Sequence, residues 1–267
     1  MTNLANAPLV YMIGIVRFPR LPDHARYITE YHEAIRAEYP LTDDIMTSMV
    51  SATIGPEGMR IDQHETKMFQ FASVDRQWAF IFTDSVLGLH TASYETHQDF
   101  VNRFRRGLDA LLRVSDIGIA WLEAVGIRYV DLVVPREGEG LRDYLNPWVV
   151  PDDAPVVSAG LSLIEGMSVA TYGTEAGALR FQALRNPPTT LPPELDTLLV
   201  QRNGWKRVVP DGEFAVMDID HGCRFDPPTA MDIDFVCDRL LALRKVAKGL
   251  FNSAGTPFAL KVWKGEA

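Results

Sequence analysis

Apolar residues along the chain recur in two rhythms. Between Pro8 and Pro19, Leu9, Val10, Tyr11, Ile13, Ile15 and Val16 form a near-continuous run, the pattern of a buried strand. From about Asp23 to Tyr39 the spacing becomes helical, with Ile28, Ile35 and Tyr39 on one stripe, Asp23 as the cap and Pro40 as the stop. Ile54 to Gly58 reads as a turn. Met68–Val74, Trp78–Thr83 and Val86–Ala92 then predict three short strands, joined by turns at Asp75-Arg76-Gln77 and Asp84-Ser85. Connections this short suit antiparallel neighbours.

Thr96-x-x-Asp99 opens a second helix in the manner of a capping box, and Phe100, Phe104, Leu108, Leu111 and Leu112 share its apolar face. A strand from Ile119 to Val134 follows. Residues 136 to 155 turn to Gly, Pro and charge, marking a soft boundary. Beyond it, Val156–Ile164, Ser168–Tyr172 and Ala178–Leu184 read as β-rich, and Asn186–Glu194 as a proline-rich surface loop. A strand at Glu213–His221 leads to a last helix from about Thr229 to Asn252, with Thr229 and Asp232 at its start. The tripeptide Asp-Phe-Val occurs near the start of both later helices, at 99–101 and 234–236, each shortly after a strand ending in histidine (His90, His221). The pattern predicts an α+β fold: a largely antiparallel sheet against three main helices. It divides into two related strands-plus-helix halves at 1–140 and 141–267, or forms one continuous domain.

Composition narrows the class. The 267 residues are 47% hydrophobic, which excludes a disordered chain or a collagen-like repeat. Two cysteines exclude a disulfide scaffold and point to free thiols in a reducing cytosol. The N-terminus lacks the basic flank of a secretory signal, and no apolar run is long enough for a membrane span. A formal charge of -9 argues against broad nucleic-acid binding.

PLVYMIGIVRFP at the start, RQWAFIFTDSVLGLHTASYETHQDFVNRFRRGLDALL in the centre with the later GIRYVD, and AVMDIDHGCRF before the last helix run in one order across most of the chain. In that order they resemble a sporadically distributed bacterial and archaeal family of unassigned function. The resemblance implies a cytoplasmic α+β protein and is compatible with a defence or conflict system, but it transfers no catalytic residue. Family members carry Leu-His in the last helix; here Leu243 is followed by Arg244.

Several side chains could carry chemistry. Arg103 and Arg106 on the second helix, and Arg202, Lys206 and Arg207 around Trp205, could hold a small anion in a pocket near Trp78 and Trp121. Asp218 and Asp220, two apart on one strand face, could bind a hard cation, with His221 on the other face. His90, Tyr94 and His97 bracket a strand-to-helix turn, where imidazole could work as ligand or acid–base group. His32-Glu33 lacks the second histidine of a zinc-protease helix. Phosphate-loop, dinucleotide and nucleophile-elbow motifs are absent, and no cofactor is implied. Val236, Leu240, Leu243 and Leu250 continue a stripe begun by Ile233, either a core face or a dimer seam. Three functions follow: a non-catalytic, self-associating or protein-binding cytosolic protein; a small-anion binder; or a metal-dependent enzyme using Asp218 and Asp220.

Overall fold

The computed structural model describes residues 6–55, 58–151, 160–161, 163–196 and 208–266, with only the backbone path for 47–55 and 58–64. Nine antiparallel strands form one sheet: β1 (Leu9–Arg17), β2 (Leu41–Gly55), β3 (Gly58–Ala72), β4 (Trp78–Phe82), β5 (Val86–Thr91), β6 (Trp121–Val133), β7 (Gly166–Thr174), β8 (Gly177–Arg185) and β9 (Ala215–Ala230). Their order is β2-β3-β4-β5-β1-β6-β9-β8-β7. The continuous apolar run of β1 has its reason here. The strand lies at the centre of the sheet, paired with β5 and β6, and both of its faces are covered. One meander, β2 to β5, leads into α2 (His97–Leu112), and a second, β7 to β9, leads into α5 (Ile233–Ala254). The sheet runs unbroken across residues 140–141 through the β6–β9 pairing.

α2 and α5 lie on the same side of the sheet. Phe100, Phe104, Leu108 and Leu111 of α2 and Val236, Leu240 and Leu243 of α5 pack against Met12, Val16, Phe80, Leu89, Val125 and Ile127. Thr96 caps α2 by accepting from the Asp99 N–H at 3.1 Å. Gly107 lets that helix approach β4 closely: a Cβ there would stand 2.1 Å from Cζ of Phe80.

The helical content exceeds three main helices. The 23–39 segment resolves into a 3-10 turn, His24–Tyr27, and a short α1 (Ile28–Ile35), with no capping bond from Asp23. Short α3 (Leu141–Tyr144) precedes the second meander, α4 (Pro193–Asp196) lies within it, and α6 (Pro257–Lys264) packs on the C-terminal part of the sheet. Its Thr256 cap and Pro257 start were legible but fell beyond the last expected element. The last helix begins later than expected: β9 continues through Thr229, and Asp232 is the cap, accepting from Phe235 N–H at 2.7 Å. The Asp-Phe-Val echo falls one residue out of step. Phe100 is fully buried, whereas at the second site Val236 takes the core position and Phe235 is only partly buried.

The opposite face of the sheet carries its own apolar cluster of Val10, Tyr11, Ile13, Val130, Leu132 and Val216. Leu191 and Leu195 are buried on it, so the 186–194 stretch is a cover rather than a surface loop. Its two leucines exclude water from the sheet beneath. Most of the expected strand 156–164 lies outside the described residues. Among the described residues, no helix is long and apolar enough to cross a membrane.

Candidate functional site

The arginines chosen from sequence are held by neighbouring side chains. Arg103 lies 4.5 Å over the Trp78 ring, and its Nε reaches Asp99 Oδ2 at 3.0 Å. Arg106 pairs with Glu38 at 3.0 Å. Trp78 is buried beneath this network, while Trp121 is exposed at the start of β6. Arg202, Trp205, Lys206 and Arg207 lie outside the described residues. Asp218 faces away from the helices, where Arg128 grips it with both ends of its fork, at 2.8 and 2.7 Å. Asp220 is exposed one pleat further along the same face. Among the described residues, no group of three His, Cys, Asp or Glu side chains could hold a metal ion. His221 faces the helices, as its place in the alternation requires, and bonds to Leu243 O and Thr174 Oγ1, each at 2.9 Å. Val236, Leu240 and Leu243 are buried within the chain, and Leu250 is partly buried beside α6. This stripe therefore already has its partner in the sheet.

Other residues converge on a cavity of about 990 Å³ between the sheet and the helices. The pleat of β6 turns Tyr129 and Asp131 towards the helices, where they line the cavity together with Ile219 of β9. Tyr94 to Gln98, the turn that enters α2, makes one wall. Leu241, Arg244, Lys248 and Phe251, spaced by three and four along α5, make the other. Leu260 and Lys264 of α6 and the entry to β1 at Ala7–Leu9 complete the lining.

The polar groups here differ from those around Arg103. The Tyr94 and Tyr129 hydroxyls and both ring nitrogens of His97 are buried with no hydrogen-bond partner among the described residues. The two tyrosine rings stand edge to face, 6.0 Å between centroids. Burial, reinforced by the nearby Arg244 charge, pushes the His97 imidazole down to about 4, so it is neutral at pH 7. Burial also raises the Tyr129 phenol well above its usual range, with the neighbouring Tyr94 phenol adding to it and the Arg244 charge opposing. Each buried, unsatisfied polar atom costs about 1–3 kcal/mol. Several in one cavity are a recurring cost, and a ligand that hydrogen-bonds to them would offset it.

No family model, curated protein or solved structure matches the chain. The family resemblance therefore rests on the sequence segments alone. Arg244, which follows the buried Leu243 in α5, lines this cavity.

Tyr94 and His97 were legible as candidates because they bracket a turn. Tyr129, Asp131, Lys248 and Lys264 were not singled out. For the first two the signal was available: polar residues recur at alternate positions of β6 on a strand otherwise apolar enough to be central. The lysines lie on exposed helix faces and carry no such signal.

Proposed function

We propose that the protein is a non-catalytic binding protein that holds a small organic anion in the cavity between β6, α2 and α5. The cavity and its lining by His97, Tyr94 and Tyr129, whose buried polar atoms find no hydrogen-bond partner among the described residues, support this reading. The sign of the ligand follows from Arg244 in the lining and from Lys248 and Lys264, which are exposed at its edge. This is the small-anion reading of the sequence, moved from Arg103 and Arg106 in the middle of α2 to its N-terminus. The Arg128 grip on Asp218 counts against the metal-enzyme reading. A cytosolic setting and a part in a defence or conflict system keep the support of the family resemblance. The test is a thermal-shift panel of organic anions at constant ionic strength. Carboxylates or phosphates should raise Tm for the native chain and not for Lys248→Glu/Lys264→Glu. A panel that leaves Tm unmoved, or shifts both proteins equally, removes the reading.

A second reading, protein–protein interaction or self-association, is favoured by β7. This strand ends the sheet with Met167, Val169 and Tyr172 exposed. Light scattering that finds a monomer at high concentration removes self-association.

A further inference from the structure

We infer that the outer edge of β7 pairs with an extended strand of another protein, one that is uncharged and alternately apolar along the edge and carries Lys or Arg at both ends. This rests on the protein–protein reading of β7 above and names the partner's chemistry.

β7 is an edge without the usual guards. Long edge strands are kept from pairing by charged side chains, proline or a bulge. The stretch Gly166–Thr174 contains no charge and no proline. Its pairing with β8 runs from Gly166 opposite Arg185 to Thr174 opposite Gly177 with no shift of register. The outward amides and carbonyls therefore form a regular ladder, and β8 is the only neighbour of β7 among the described strands. β2, at the other end of the sheet, differs: Asp43 and Asp44 are exposed along it, and Asp44 pairs with Lys67 at 2.8 Å. Met167 and Val169, exposed opposite Leu184 and Gln182, look away from the helices. Tyr172, exposed opposite the buried Leu179, looks towards them. An added strand covers apolar surface on both faces while its backbone completes the ladder.

The charges lie at the ends. Glu165 directly precedes β7 and Glu175 directly follows it, and both are exposed. The cations of the neighbouring β8 have other carboxylates: Arg185 pairs with Glu213 at 2.6 Å, and Arg180 stands opposite Asp220 of β9. These ends select against a second copy. Full-length antiparallel pairing of two β7 strands centres on Ala170 and sets Glu165 of each against Glu175 of the other, where like charges repel. Slipping the register relieves this only by shortening the ladder. A formal charge of -9 on each copy adds to the repulsion. The same ends attract a strand whose basic residues stand about 33 Å apart, the span from Glu165 to Glu175 at the rise of a strand.

Fluorescence anisotropy of the full chain with labelled peptides matching this span tests the inference. Each peptide alternates Thr and Val between two end residues. The ends are Lys in one peptide and Glu in another; a third, Lys-ended, is N-methylated at two adjacent central residues to block pairing on either edge. The Lys-ended peptide should bind about tenfold more tightly than the Glu-ended one at low salt, and the gap should close at high salt. The N-methylated peptide should not bind. Glu165→Lys/Glu175→Lys, which changes only exposed residues outside the strand, should reverse the preference. Equal binding of the two unmethylated peptides, a preference unmoved in that variant, or undiminished binding of the methylated peptide overturns the inference. No peptide binding, with a dimer by light scattering, overturns it and leaves the self-association reading standing. No peptide binding with a monomer removes both.

Discussion

The N-terminus and the middle of α2 treat their charged and polar side chains in opposite ways. In its second turn, beyond Asp99, Arg103 stacks on Trp78 and pairs with Asp99 and Glu38, and Arg106 pairs with Glu38. At its N-terminus, His97 stands with Tyr94 and Tyr129 in a cavity, and their buried polar atoms lack hydrogen-bond partners. The first region is rich in arginine and satisfied from within the chain. The second carries charges of both signs, Glu95, Asp131, Arg244, Lys248 and Lys264, beside buried polar groups left unsatisfied among the described residues. A cluster of cations along a sequence is thus a poor guide to a binding site, because the carboxylates that neutralise it come from other elements: Glu38 reaches Arg106 from just beyond α1. The better guide is a buried donor or acceptor with no partner.

Substitutions can break or sharpen that contrast. The largest effect belongs to the packed region. Gly107→Ala places a methyl group against the buried Phe80 ring and should cost about 2 kcal/mol by urea denaturation. No measurable loss would mean that α2 is looser on β4 than its approach implies. At the cavity the sign reverses. Tyr129→Phe removes an unsatisfied buried hydroxyl and should raise stability by about 1 kcal/mol while weakening anion binding. A clear loss of stability there would reveal an internal partner for the hydroxyl and weaken the case for a ligand. Arg103→Ala should cost about 1 kcal/mol, chiefly through the lost contact with Trp78. Arg106→Ala, which breaks an exposed ion pair with Glu38, should stay within about 0.5 kcal/mol of the native chain.

A pH series adds a further test. The folded-state pKa of His97 lies at about 4, below its ordinary 6.5, so the unfolded chain takes the proton first as pH falls. The stability that His97 lends is therefore complete above pH 6.5 and is lost progressively towards pH 4. His90, buried beside Tyr11 and pushed down to about 3, acts in the same direction. His97→Gln should reduce the acid sensitivity of Tm in this window; an unchanged slope would place His97 in water.

Much of the fold was legible where local rules act alone. The Asp75-Arg76-Gln77 turn, with Arg76 at φ 52°, and the Thr96 cap follow from short-range chemistry. The start of α5 was misplaced because Thr229 and Asp232 are both good caps, and only the β6 pairing, Leu122 opposite Thr229, assigns Thr229 to the strand. The burial of Leu191 and Leu195 was hidden for a similar reason. Proline content signals irregular backbone but not what lies beneath it. At the cavity, the sequence marks Tyr94 and His97 by their turn, while Tyr129, Asp131 and Arg244 meet them only through the sheet order. Cavities of this kind are made by long-range topology, so their residues are scattered and no spacing announces them.

The central place of β1 has a kinetic consequence. The first strand of the chain pairs Met12 with Thr91 on one side and with Tyr129 on the other. During synthesis its ladder has no partner on either edge until β5 emerges, and is open on one edge until β6 follows. Both closures span long loops, which is the regime of slow folding. An emerging chain therefore exposes its most apolar strand for longest, and chain termination before residue 121 would leave that edge permanently available for pairing with another molecule.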